Sequence, residues 1–542
     1  MAHLDLADIQ GNIQRPYGRY GFPYNRHLFF NIAEPEAGRL FVDAIRPFVT
    51  TAEPWDSAVG QDGAVLVHKP PIALNIGFTW AGLAAVGLPT RTLRLFPDEF
   101  IDGMGARAEI LGDLGSSAPR GWDPIWRPPP PGEPHKPVHV WLSLNAGALP
   151  DSSPRPELAA MTGWLEGLVE ASRGKVTLLP GHGPGGQNRW QDSSARWEEA
   201  PGVGYVPTAK EHFGFTDGIS DPIFLGQYAV AAETVAAVGG GKIAEGPYDP
   251  ARSWAPLETG EFILGLPDEG QELPVATMPA GFVANGSFMV WRKLREDVEA
   301  FEQAMKTQAA VYGRVAGMAD ETEALETLYA KVVGRWRSGV PLMAAPTWSE
   351  QTTLLEQWSD IPALRLKPAR TPAENARLDD WSRLLTGFRY GDDPDGARCP
   401  LGAHIRRGNP RDMLDPKLSA TLGSSTLTKR RRLIRRGLPY ETDGEKGVIF
   451  MAHCASLFRQ FEFIQQQWMQ YGLDFESGND TCPLVGSRRD SDKFVVPAGA
   501  ANDTPFIASG LPRFVDTRGG DYFFVPSLSA LRQIAMGTVD PT

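Results

Sequence analysis

The sequence predicts an α+β protein made of two similar halves. Two observations carry this. Short apolar runs alternate with amphipathic segments in the order strand-helix-strand, strand-helix-strand, and the theme recurs after residue 280. Gly 58 and Pro 47 of 542 residues also mark a chain rich in turns. In the first half, His27–Ile32 reads as a strand, and Glu36, Leu40, Phe41, Ala44, Ile45 and Phe48 as a helix face. Ile72–Gly77 and Val138–Leu144 alternate like half-buried strands. Leu158, Met161, Trp164, Leu165, Leu168 and Val169 step at helical spacing, and Val176–Leu179 closes the unit as a strand. That order is a ferredoxin-like unit. In the second half, Phe282–Trp291 reads as strand, Glu296–Tyr312 as helix and Gly447–Ala452 as a buried strand. Leu457, Phe461, Ile464, Trp468 and Tyr471 then step by four and three along one helix face.

The expected organisation is an N-terminal domain over 1–225, a Gly/Pro-rich connector over 226–275 and a C-terminal domain over 276–542. The proline run at 127–134 is a polyproline II candidate, and Val238–Pro250 a flexible link. The polar stretch Arg370–Asp395 reads as a surface excursion. An interface between two such halves is a natural ligand site.

Composition excludes several classes. Hydrophobic residues make up 42% and charged ones 22%, which argues against disorder. The net charge of −12 disfavours a nucleic-acid partner, and no segment is apolar enough to span a membrane. Cys399, Cys454 and Cys482 are too few and too scattered for a disulfide framework or a CxxC site, which favours a reducing compartment, the cytoplasm. The glycine-rich stretches at 181–186 and 239–242 lack phosphate-loop spacing and read as loops.

Three segments carry chemistry. In Lys210–Pro222 (KEHFGFTDGISDP), Asp217 lies in a turn flanked by Phe213, Phe215 and Ile219, where apolar surroundings tune a carboxylate for proton transfer. In Pro400–Asp412 (PLGAHIRRGNPRD), His404 lies among Arg406, Arg407 and Arg411; imidazole binds a metal, and guanidinium pairs with acid groups. In Lys429–Tyr440 (KRRRLIRRGLPY), six cations in eight residues read either as a solvated or nucleic-acid-binding face or as arginines for an anionic ligand.

In this order, the three segments resemble the dye-decolorizing peroxidase family of haem enzymes. Gly214-Phe215-Thr216-Asp217-Gly218 matches that family's GxxDG motif, His404 its proximal histidine and Arg435 its distal arginine. Asp8–Ile13, Gly286–Leu294 and Gly334–Pro341 match scaffold segments, so the resemblance runs from residue 8 to about residue 470. The length suits the larger members.

The resemblance implies two ferredoxin-like domains, antiparallel sheets with peripheral helices, of the dimeric α+β-barrel-like superfamily. It implies haem b with His404 as axial iron ligand, Arg407 and Arg411 facing the haem carboxylates, and Asp217 and Arg435 as catalytic pair. The activity implied is reduction of hydrogen peroxide through a ferryl intermediate, with dyes, phenolics or similar one-electron donors oxidised. An Asp in charge implies dye oxidation peaking below about pH 5.5. Expected partners are peroxide and small reductants, with no nucleic acid and no membrane; a homo-oligomer is left open. Glu462 is the candidate to orient His404. His453 and Cys454 read as core residues, and His212 as a control for mutation. The alternatives are a haem carrier or iron-releasing protein, which needs neither Asp217 nor Arg435, a nucleic-acid binder using 429–436, and an encapsulated cargo enzyme, for which the GTVDPT terminus shows no apolar docking tail.

Overall fold

The computed structural model describes residues 4–540 apart from 130–131, 133–135, 201–203, 229, 245–252, 416–423 and 500–503. Its frame is one ten-stranded antiparallel sheet. The first half supplies β1 (Tyr24–Ile32), β2 (Ile72–Phe78), β3 (Val140–Ala146), β4 (Val176–Leu178) and β5 (Gln191–Ser194). The second supplies β6 (Ser287–Glu296), β7 (Ile434–Arg435), β8 (Leu438–Thr442), β9 (Glu445–Cys454) and β10 (Val515–Val525). The order is β7-β9-β6-β10-β2-β3-β1-β4, with β8 on β9 and β5 on β1. The halves join where Phe524 of β10 pairs Phe78 of β2.

Both faces of the sheet are buried, so the strands read as near-continuous apolar runs. Leu28, Phe30, Leu142, Phe288, Val290 and Phe524 pack on one face with α1 (Pro35–Ile45) and α2 (Glu157–Ala171). Their neighbours in sequence, Phe29, Trp141, Met289, Trp291 and Phe523, form a second core on the other face. There the indoles of Trp141 and Trp291 donate to His27 Nδ1 at 3.1 and 3.3 Å, and burial pushes His27 down to about 3, so it is neutral.

In the second half, Arg292, Leu294 and Glu296 alternate along β6 and turn towards a cavity rather than a packed helix. α3 (Val298–Ala316) begins after β6, with the Asp297 side chain accepting the Ala300 N–H at 3.1 Å. α4 (Glu321–Val333) packs on α3, and the short α5 (His404–Gly408) packs on α4.

Three expectations change. The strand expected from Phe282 begins at Ser287, after turns at 280–285, and Glu296 ends it rather than starting a helix. The helix expected over 457–471 forms as wider π-helical turns, Leu457–Glu462 and Ile464–Met469, which satisfy nearly the same apolar spacing. The expected surface excursion contains a helix, Pro372–Thr386, which buries Trp381 and Leu385. Its start was written in the sequence: Thr371 and Glu374 form a capping box around Pro372. The proline run at 127–134 and the link at 238–250 fall partly outside the described residues. No helix among the described residues is long and apolar enough to cross a membrane.

Candidate active site

A cavity of about 320 Å³ lies between the sheet, the end of α4, α5 and the π-helical turns. Asp217, His404, Arg411 and Arg435 all line it, although they come from three segments of the chain. The walls are mainly apolar, with Phe215, Leu294, Phe450, Ile464 and Met469 among them.

Asp217 is placed by its loop. Its N–H donates to Ala209 O at 2.8 Å, and Thr216 Oγ1 donates to Arg337 O at 3.0 Å. The flanking Gly214 and Gly218 adopt φ of 93° and 73°, a left-handed backbone that L side chains rarely adopt. The motif's two glycines are therefore conformational, and its aspartate is the group they present. Arg435, on β7, donates from Nη1 to Asp217 Oδ1 at 2.6 Å. The pair keeps 38% and 48% of its side-chain surface accessible, and that surface is cavity wall.

His404 is the first residue of α5. Its Nδ1 lies 3.4 Å from Cys482 Sγ. Glu462 is not its partner: that carboxylate accepts from Arg107 Nε and Nη2 at 2.5 and 2.7 Å and from the Tyr522 hydroxyl at 2.8 Å. Cys482 lies 78 residues from His404, so no spacing in the sequence pointed to it.

The arginines divide. Arg411 reaches the cavity wall, donating to Thr386 O, Phe388 O and Ser220 Oγ. Both Arg411 and Ser220 hold positive φ, 56° and 65°, a strained backbone of the kind that clusters at functional sites. The structure does not bring Arg407 to the cavity. Its guanidinium is buried against the carbonyls of Gly402, Trp468, Tyr471 and Asp480, where it clamps α5 to the chain leading to Cys482. Facing into the core rather than along the cavity wall, it has no reach to acid groups there.

The basic run 429–436 is not a solvated face. Lys429 pairs with Glu269, Arg430 with Asp268, and Arg436 with Asp221, while Arg431 donates to Arg459 O. His453 is buried, as expected, but neither of its ring nitrogens has a hydrogen-bond partner among the described residues. Burial, with Arg436 nearby, pushes it down to about 3 and keeps it neutral.

The sequence reading assigned no cavity role to Arg292, Arg335, Arg432, Asp113, Glu211 or Glu296. Among the described residues, five arginines and four carboxyl groups line the cavity, Glu211 and Glu296 among them. Burial, and then the nearby Arg411, pushes Arg335 and Arg432 down to about 9; burial pushes Arg411 down to about 10. These cations are held with less solvation than water would give them. Arg292 donates to Asp113 Oδ1 and Thr517 Oγ1 at 2.6 Å each, while its Nη1 and Asp113 Oδ2 are buried without partners among the described residues. The site therefore suits a largely apolar ligand with anionic arms and a centre that takes one imidazole.

Comparison with models of known protein families finds no match. Among curated proteins, "Peroxidase 2" of Mycetinis scorodonius is 27% identical over 98% of this chain and 87% of its own length. The dye-decolorizing peroxidase of Mycena epipterygia is also 27% identical, over 98% and 87%. "Multifunctional dye peroxidase DyP2" of Amycolatopsis is 27% identical over 98% and 96%. Among solved structures, a dye-decolorizing peroxidase in complex with 2,6-dimethoxyphenol matches at TM-score 0.67 and 24% identity, over 98% of this chain and 100% of that one. An ancestral D-type dye decolorizing peroxidase matches at 0.66 and 25%, over the same shares. The likeness to dye-decolorizing peroxidases thus runs through nearly the whole chain, in sequence and in fold.

Proposed function

We propose that this protein is a haem peroxidase that reduces hydrogen peroxide and oxidises dyes, phenolics or similar one-electron donors. The observation that carries the reading is the Asp217–Arg435 pair in the same cavity as His404. With Nδ1 facing Cys482, His404 offers Nε2 as iron ligand. Arg411 and Arg292 are the cations suited to the two carboxylates of haem b. When bound, haem iron supplies the electrons that cleave the peroxide O–O bond and takes them back, one at a time, from reductants.

The chain's own groups handle protons and charge. Asp217 takes the proton from one peroxide oxygen and returns it to the other, which leaves as water. Arg435 stays protonated and stabilises the negative charge that grows on the departing oxygen. Their mutual contact fixes both before substrate arrives, so little reorganisation is needed at the moment of bond cleavage. The apolar wall excludes bulk water and strengthens these interactions. Arg407 and Cys482 hold α5 and its histidine in place. A cytoplasmic location is part of the proposal and rests on three cysteines that form no disulfide. The test is turnover of a phenolic donor with peroxide by the haem-loaded protein. Activity that is lost in Asp217→Asn supports the reading; a wild type that binds haem yet turns over no donor overturns it.

A further inference from the structure

Hydrogen peroxide carries two protons, and both leave in the first water. The second oxygen leaves as water only when two further protons reach it, alongside two electrons from the reductant. Asp217 is poorly suited to store such protons, because its charge is already matched by Arg435. The cavity wall holds a second pair, and both of its members are acidic. Glu211, six residues before Asp217, and Glu296, the last residue of β6, both line the cavity, and their carboxyls are brought side by side by accepting the N–H groups of consecutive residues, 213 and 212. The Glu211 carboxyl accepts the N–H groups of Phe213 and Phe215 at 2.6 and 2.7 Å, and Glu296 Oε2 accepts that of His212 at 3.2 Å.

The charged neighbours are engaged elsewhere. The His212 ring meets Tyr440 O at 2.9 Å, and Arg196 donates to the Glu211 carbonyl rather than its carboxyl. Arg337 pairs with Glu326, and Arg295 with Asp297 and Asp516. Among the described residues, no Lys or Arg forms an ion pair with either Glu211 or Glu296. Two carboxyl groups in contact, without a cation, must share a proton. Burial first, and the charge of Asp217 in addition, pushes Glu211 up to about 7. Burial and then Glu211 push Glu296 well above the usual carboxylate range.

We propose that the Glu211–Glu296 pair is the proton store of this cavity, releasing its proton inward as an electron arrives from the reductant. The O–H bond of the shared proton breaks, and an O–H bond of the departing water forms by way of Asp217. Two adjacent carboxylates are left, and their repulsion draws a replacement proton from solvent. The same cycle repeats with the second electron. This rests on the peroxidase reading above.

The test compares wild type with Glu211→Gln and Glu296→Gln. Infrared difference spectra in H2O and D2O, taken on the purified protein without added peroxide, read the pair directly. Wild type at mildly acidic pH should show the C=O band of a protonated carboxyl at the pair, and each variant should shift or remove that component while the bands of other buried carboxyls stay unchanged. Stopped-flow mixing of the haem-loaded protein then separates the two limbs, with hexacyanoferrate(II) as a donor that brings no proton. Each variant should slow the reductant limb by about 10-fold or more, well beyond any change in the peroxide limb. In wild type that limb should slow as pH rises through about 7, and in the variants this dependence should vanish. A carboxyl spectrum identical to that of wild type in both variants, or a reductant limb with wild-type rate and pH profile, overturns the proposal. A wild type that shows the band but does not react with peroxide overturns the peroxidase reading instead.

Discussion

Asp217 and Glu211 sit six residues apart on one loop and line one cavity, yet their surroundings are opposite. Asp217 has a guanidinium at 2.6 Å; Glu211 has a second carboxyl. A matched charge is kept, and an unmatched one takes up a proton. The contrast teaches that the partner across the cavity, supplied by β7 in one case and β6 in the other, decides what a carboxylate does here. Only one of the two was visible from a motif.

The comparison can be broken in order of expected effect. The largest follows from removing the group both carboxyls serve. His404→Ala should lose or redirect iron ligation, seen as a changed ferric haem absorption spectrum, with peroxide turnover falling to background. Next, Asp217→Asn should cut the second-order rate with peroxide by about 10²–10⁴-fold, the usual worth of a positioned proton-transfer group. Haem loading should stay intact. Dye oxidation by wild type should peak below about pH 5.5, and a peak at pH 7 or above with Asp217 present would show that another group controls the rate.

Stability sharpens the contrast further. A carboxyl whose folded value is raised contributes stability below its unfolded value and loses it as pH rises through the folded one. For Glu211 that window runs from about 4.5, its ordinary value, to about 7. Glu211→Gln should therefore gain on wild type as pH rises through this window, by on the order of 1–3 kcal/mol in denaturant titrations. Equal pH slopes for the two proteins would contradict a shared proton. Smaller still is Cys482→Ala, which should shift the ligand-field bands of the ferric protein and weaken haem retention by about 10-fold, as loss of an outer contact to a metal ligand does. Arg407→Met should lower thermal stability, since it leaves four buried carbonyls short of a donor, while the folded fraction keeps its haem spectrum.

What the sequence revealed was whatever lies close along the chain. The strands of both halves followed from apolar runs, and the three site segments from local motifs whose glycines, histidine and arginine stand a few residues apart. What it hid was pairing at long range. Cys482 meets His404 across 78 residues, and Glu296 meets Glu211 across the fold. Arg407 and Arg411 are equivalent in a string of letters, and only the fold tells them apart: Arg407, within α5, turns into the core, while Arg411, beyond the helix end at positive φ, lines the cavity. The helix at Pro372–Thr386 is a different lesson: its capping box was legible, and its polar composition outweighed that signal in the reading.

In the proposed function the cavity joins His404 on α5, as iron ligand, to the Asp217–Arg435 pair as its proton-handling groups. The most direct measurement is the absorption spectrum of the haem-loaded protein before and after one equivalent of peroxide, for wild type, His404→Ala and Asp217→Asn. An intense band near 400 nm, about the usual place for ferric haem, should change rapidly in wild type, change slowly in Asp217→Asn and be altered from the start in His404→Ala. A protein that cannot be loaded with haem, or one whose spectrum responds to peroxide equally fast without Asp217, would contradict it.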